Sequence, residues 1–294
     1  LIGLEIDALM KELEETLINI ALYEDILANR GSMAKVIIKE LKAFKKEYGA
    51  ERKTVIDNLE EAVIAKKEIE AADVVLLMDR FGYVKTVDVA TYERNKETAD
   101  AENKIIFKVK NIDRVCLFTN TGNLHLIKVL DLPYGKFRDK GTPIDNVSNY
   151  DSKKEDFVYI TSLENVSQNK LLFETKQSML KLVEGAEFVV SRKTSQATKL
   201  ADGDEVISVS ILTGGENLVM HSKKDFFLRI ECSSIPEKKK MAVGVRGMKL
   251  DKSDELQAAY VLAEGENQVV EVKGKELSLN RLKIGNRDTK GTKH

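Results

Sequence analysis

Apolar residues in the first fifty positions recur at helical spacing. Ile2, Ile6, Leu9, Leu13, Leu17 and Ile20 step by three or four residues, which puts them on one helix face while Glu and Lys occupy the others. Asn29-Arg30-Gly31 interrupts the pattern, with Gly31 suited to a left-handed C-cap and Ser32 to the N-cap of a second helix. Ile37, Leu41, Phe44 and Tyr48 continue the apolar face, and Gly49 ends it. The spacing predicts a helical hairpin or coiled-coil segment over residues 1–56. Its apolar seams close within the hairpin, against sequence outside this chain, or against a second copy. Residues 57–72, rich in Glu, Ala and Lys, predict a linker helix.

Beyond residue 73 the pattern changes to short β-type runs joined by tight turns. Residues 74–78 and 83–87 flank Phe81-Gly82, 115–119 and 124–128 flank Thr121-Gly122-Asn123, and 171–175 and 179–182 flank Gln177-Ser178. Residues 218–222 and 226–229 flank Lys224-Asp225, and 269–272 and 277–279 flank Lys273-Gly274-Lys275. Turn centres near 82, 122, 178, 225 and 274 are separated by 40, 56, 47 and 49 residues, a unit that occurs five times. Later runs at 105–109, 157–161, 205–209 and 258–262 supply a further strand to a unit. A four-stranded module repeated at this length predicts a mainly β, five-bladed propeller-like array over 73–294, because one module cannot bury both of its faces alone.

A second repeat lies in the long connections. Lys136, Arg138 and Lys140 precede Gly141; Arg192, Lys193 and Lys199 bracket Thr194-Ser195-Gln196-Ala197; Lys238, Lys239, Lys240, Arg246 and Lys249 surround Gly244 and Gly247; Arg287 and Lys290 precede Gly291. Equivalent places in a disc share a rim, so these charges are expected to gather along one curved edge. Such an edge suits a duplex phosphate backbone, where each neutralised phosphate releases counterions and gives salt-sensitive, sequence-independent affinity.

Composition narrows the classes. The 294 residues hold 47 Lys+Arg against 48 Asp+Glu. Residues 1–67 carry 11 basic and 13 acidic side chains, leaving 36 and 35 for the rest, so distribution rather than total charge argues for a polyanion partner. The longest apolar run is six residues, 258–263, too short to span a membrane. The opening Leu1-Ile2-Gly3-Leu4-Glu5 carries neither an initiator Met nor a basic leader and reads as the interior of a longer chain. Cys116 and Cys232 lie far apart and form no CxxC pair, in keeping with two thiols filling strand positions in a reducing cytoplasm.

His125, His221 and His294 have no ligand-type neighbour at short spacing, and no GxxxxGK[ST] phosphate loop is present. Asp202-Gly203-Asp204 and Thr213-Gly214-Gly215 read as turns. No catalytic or metal-ligating residue is therefore singled out. A propeller scaffold for protein partners, with apolar or acidic patches on the disc face, is the rival of another class.

The residues also resemble a known family. Arg80-Phe81-Gly82-Tyr83-Val84-Lys85-Thr86-Val87 with Thr91-Tyr92-Glu93-Arg94 is similar to the first blade of the C-terminal domain of bacterial type IIA topoisomerase A subunits. Val243-Gly244-Val245-Arg246-Gly247-Met248-Lys249-Leu250 and Arg287-Asp288-Thr289-Lys290-Gly291 resemble later blades, and residues 1–54 resemble the exit gate and the helix returning from it.

The resemblance implies a β-pinwheel, whose blades exchange strands, that binds and bends DNA. It implies an A-subunit homodimer through the exit gate and a bacterial, nucleoid-associated location. It also implies a partner B subunit that hydrolyses ATP, with Mg, so that this fragment itself needs no cofactor and is inactive alone. The catalytic tyrosine belongs to an upstream domain outside this sequence. By the same resemblance, phosphate contact falls to Lys85, Lys128, Lys136, Arg138, Lys140, Arg192, Lys193, Lys199, Lys238, Lys239, Lys240, Arg246, Lys249, Arg287 and Lys290. Gyrase A subunits carry a basic, glycine-rich QRRGGKG box in the first blade. The corresponding residues 92–102 here have no glycine and four acids, which favours the topoisomerase IV type over gyrase.

Overall fold

A computed structural model describes residues 2–51, 54 and 69–294. The chain divides into two compact units, Leu1–Lys66 and Lys67–His294. In the first, α1 (Ile2–Ala28) and α2 (Arg30–Tyr48) form the expected helical pair. The break lies earlier than Gly31. Asn29 adopts extended backbone geometry and caps α2, its side chain accepting the Gly31 N–H at 2.9 Å. Gly31 therefore lies inside the helix, and Ser32 instead donates to Asp25 Oδ2 at 2.6 Å. The predicted seams are open to solvent: Leu9, Leu13, Leu41 and Phe44 are each about 60% exposed. Of the predicted linker helix, residues 57–68 lie outside the described residues. Residues 69–72 are not helical; they are held by Asn111, which takes the Ala72 N–H and donates to Glu70 O.

The second unit runs β1 (Asp73–Asp79), β2 (Tyr83–Asp88), α3 (Val89–Arg94), α4 (Lys96–Glu102), β3 (Asn103–Lys110), β4 (Arg114–Thr119), β5 (Asn123–Lys128), β6 (Thr142–Pro143), α5 (Ile144–Val147), β7 (Phe157–Ser162), α6 (Leu163–Ser167) and β8 (Lys170–Thr175). It continues with β9 (Met179–Glu184), β10 (Thr194–Gln196), β11 (Val206–Leu212), β12 (Asn217–Ser222), β13 (Phe226–Glu231), β14 (Val245–Arg246), β15 (Leu256–Leu262), β16 (Val269–Val272), β17 (Lys275–Ser278) and β18 (Thr292–Lys293).

Four antiparallel sheets result, ordered β3-β1-β2-β6, β7-β4-β5-β10, β11-β8-β9-β14 and β15-β12-β13-β18, with β16-β17 as a separate two-stranded hairpin. In each four-stranded blade the last strand comes from beyond the next hairpin. Thus β6 follows β5 in sequence yet pairs with β2, and β10, β14 and β18 do the same for β5, β9 and β13. The blades exchange strands, as in a pinwheel. The fifth predicted module is present as its hairpin alone among the described residues.

The central strands show why they read as continuous apolar runs. A strand buried on both faces feeds two cores by alternation. In β4, Val115 and Leu117 join Val74, Leu76 and Met78 of β1, whereas Cys116 and Phe118 join Leu171 and Phe173 of β8. In β8, Leu172 faces the other way, onto Leu218 and Met220 of β12. Val219 of β12 then packs with Val272 and Leu279 at the fifth hairpin. The outer face of β1, Val75 and Leu77, is covered by Tyr92 and Ala99 of α3 and α4, two helices the sequence pattern did not announce. Each fully buried Leu or Phe in these layers contributes about 1.5–3 kcal/mol.

Candidate nucleic-acid interface

The long connections are held against the blades by one repeated device. At the hairpin turns a side-chain oxygen accepts backbone N–H groups: Asp79 from Phe81 and Tyr83, Thr119 from Asn123, Thr175 from Met179 and Ser222 from Phe226. The turn carbonyls of Gly82, Gly122, Ser178 and Asp225 accept N–H groups from Ile144, Ala197, Gly247 and His294, at 2.9, 2.8, 2.7 and 3.0 Å. The incoming short strand is thereby clamped onto the turn.

The chain must pass very close to the blade to be clamped. A Cβ on Gly141, Gly244 or Gly291, all at positive φ, would lie 2.5–2.6 Å from the carbonyl oxygen of Val84, Leu180 or Phe227. The glycine beside each basic cluster is thus a docking requirement of the backbone. In the second blade Thr194 takes that place, with its Oγ1 3.0 Å from His125 Nδ1, and Glu155 holds the other ring nitrogen at 2.7 Å.

Each basic connection therefore lies along the second strand of its hairpin. Gly135 donates to Thr86 O, Leu126 to Lys193 O, Lys238 to Leu182 O and Gly285 to Arg229 O. Two clefts form where the connections of the first two blades run. One, about 770 Å³, brings together Lys85, Arg138 and Lys140 with Arg80, Phe81 and Tyr83. The other, about 650 Å³, brings together Lys128, Arg192 and Lys193 with Arg114.

The remaining basic residues differ in their surroundings. Lys239 pairs with Glu187 at 3.2 Å, and Lys240 donates its backbone N–H to the same carboxylate and its ammonium to Glu187 O. Burial pushes the Glu187 carboxyl up, but the Lys240 N–H and the Lys239 ammonium outweigh it and hold the group below the usual range. Arg246 pairs with Asp288 at 3.2 Å, and Lys290 with Asp251 at 2.8 Å; the Lys290 hydrogen bond lowers the Asp251 carboxyl. Arg287 donates to Ser234 O and Arg246 O. Lys136, Lys199, Lys238 and Lys249 are exposed and make no ion pair among the described residues.

Lys85 stands apart from the other predicted contacts. Its ammonium donates to Phe137 O and Asp139 O at 2.6 and 2.7 Å, so it ties the basic connection to β2. Lys181 occupies the equivalent position in the third blade and donates to Lys240 O and Ala242 O. It is 1% exposed, and burial lowers its ammonium to about 8. Sequence reasoning passed over Lys181, Arg80 and Arg114. The repeat offset from Lys85 pointed to Lys181, whereas Arg114 carried no signal because it lies at the start of a strand, far from the basic clusters.

The β unit has counterparts among known proteins. A family model described as DNA gyrase C-terminal domain, beta-propeller, matches residues 169–213 and 216–263. The DNA gyrase A protein of Lawsonia intracellularis is 29% identical over 310 residues, covering 99% of this chain and 38% of that protein. The C-terminal domain of DNA topoisomerase IV superposes with a TM-score of 0.68 at 22% identity, over 76% of this chain and 73% of that one.

The β unit resembles the C-terminal domain of type IIA topoisomerase A subunits in fold and in its matched repeats.

The Escherichia coli ParC C-terminal domain superposes with a TM-score of 0.62 at 16% identity, over 76% of this chain and 94% of that one. The chain spans just over a third of the length of the curated relatives it matches. Among the described residues no group of three His, Cys, Asp or Glu side chains is placed to hold a metal ion, and no helix is long and apolar enough to cross a membrane.

Proposed function

We propose that the pinwheel binds duplex DNA along its basic connections and bends it, as the C-terminal part of a type IIA topoisomerase A subunit. The observation that carries this is the repeated placement of Lys- and Arg-bearing connections along the second strand of each blade, two of them opening clefts rich in cations. Phosphate contact is assigned to Lys128, Lys136, Arg138, Lys140, Arg192, Lys193, Lys199, Lys238 and Lys249, whose ammonium or guanidinium groups form no ion pair among the described residues. Lys239, Lys240, Arg246, Arg287 and Lys290 take part more weakly through their existing partners. Lys85 acts by holding its connection in place.

In the whole enzyme this part guides duplex DNA to strand passage driven by ATP, which a B subunit hydrolyses with Mg in the bacterial cytoplasm. The exposed apolar faces of α1 and α2 support an A-subunit homodimer. Titration of duplex DNA at two salt concentrations tests the binding reading: affinity that ignores salt overturns it.

The topoisomerase IV type is favoured because residues 92–102 fold as parts of α3 and α4, with Tyr92 donating to Asp100, where a basic glycine-rich box would add wrapping contacts. The gyrase type is the second reading, supported by the names of the sequence relatives. Relaxed plasmid incubated with the full A subunit, its B partner and ATP is expected to gain no negative supercoils; their appearance reverses the preference.

A further inference from the structure

Phe81 sits at the tip of the β1–β2 turn and is 71% exposed, the most exposed large apolar side chain described in the β unit. The equivalent turn positions in the next three blades hold Thr121, Gln177 and Lys224, all polar. The Arg80 guanidinium lies over the Phe81 ring, 4.9 Å from its centroid, and the Lys140 ammonium lies 4.4 Å from the neighbouring Tyr83 ring. The turn beneath is rigid: Asp79 Oδ1 accepts two of its N–H groups and Gly82 O accepts one from Ile144. Of the carboxylates lining the cleft, Asp79 is engaged in this turn and Asp139 in the N–H of Lys136, leaving Glu102 at the end of α4.

We infer that Phe81 is a wedge that enters the base stack of bound duplex and kinks it at the first blade. This rests on the DNA-binding reading and adds a point of unstacking to it. An aromatic ring held on a stiff turn loses little freedom when it is inserted, and flanking cations draw phosphates to either side of it. Apolar side chains that enter a base step this way trade stacking for a bend that brings more phosphate to the protein surface. The cleft's cations, Arg138 and Lys140, hold the phosphate backbone beside the turn and leave the ring as the group that meets the bases.

The test uses the full chain and a duplex of about 30 base pairs, the length over which such bends develop. The duplex carries 2-aminopurine at a central TA step and a donor–acceptor dye pair at its ends. Wild type is expected to raise 2-aminopurine fluorescence and shorten the end-to-end distance. Phe81→Ala is expected to lose the fluorescence rise and much of the shortening, while affinity falls no more than about tenfold because phosphate contacts supply most of it. Phe81→Leu, still an apolar wedge, is expected to keep both signals. Absence of duplex binding by wild type overturns the DNA reading itself. Binding without a fluorescence rise, a Phe81→Ala protein that retains it, or tighter binding to single strands than to duplex overturns the wedge alone.

Discussion

The first two blades and the next two have similar basic sequences and dissimilar electrostatics. In the first pair, Lys128, Lys136, Arg138, Arg192 and Lys193 form no ion pair among the described residues, and most of them line clefts. In the second pair, Glu187, Asp251 and Asp288 each take one of the corresponding cations at 2.8–3.2 Å. The same strand position holds Met78 and Phe118 in the first pair, Glu174 and His221 in the second. Both Glu174 carboxylate oxygens are buried without a hydrogen bond, the Ser208 hydroxyl stands beside them, and burial raises the group to about 8. Charge counted in sequence is therefore not charge available to a ligand, and the second pair carries an electrostatic cost that the first pair avoids.

Neutralising one set at a time gives the largest expected effect. Lys136→Gln, Arg138→Gln, Arg192→Gln and Lys193→Gln together should flatten the slope of log affinity against log salt by about 3–4. Lys239→Gln, Arg246→Gln, Arg287→Gln and Lys290→Gln should flatten it by only about 1–2, since carboxylates already neutralise part of that set. Equal losses in duplex titrations would erase the contrast.

The buried carboxyl gives the next effect, on stability. Glu174 in the unfolded chain ionises near the ordinary carboxylate value, while in the fold it keeps its proton up to about 8. Between those limits the native state binds the extra proton, so stability is present at low pH and falls as pH rises through the window. Glu174→Gln should remove this slope and exceed wild type on the order of 3 kcal/mol above pH 8, by urea unfolding at pH 5 and pH 8.5. Parallel pH profiles would show that the third blade carries no such burden.

Freeing a cation gives the smallest effect. Glu187→Gln should release Lys239 and raise duplex affinity about threefold at low salt, in line with the modest worth of an exposed pair. A fall in affinity would mean that the carboxylate positions the Lys238-Lys239-Lys240 connection rather than masking it.

Much of the fold was legible because its signals are local. The five turns, the paired strands and the later strands fall where the short apolar runs put them, since a strand buried on both faces leaves an unbroken apolar run. Hidden from that pattern were β6, β10, β14 and β18, two or three residues each, which lie within the basic connections and carry no apolar periodicity. Helices α3 and α4 were missed for a similar reason: only Tyr92 and Ala99 are buried in them and Val89 is partly so, too few to show a helical face. Among the candidate contacts, the repeat placed the clusters, but the carboxylates that occupy some of them come from residues up to 52 positions away, such as Glu187 for Lys239.

The order of residues by itself determined the number of hairpins, the location of the cationic connections and the glycines that let them dock, because each depends on neighbours within a few positions. Only the tertiary structure decided which blade each short strand closes, which cations are left free and which are neutralised, and that Lys85 and Lys181 tie down backbone. Those outcomes depend on separations of a few ångströms between groups far apart in the chain, where Coulomb and hydrogen-bond energies are set by distance and burial.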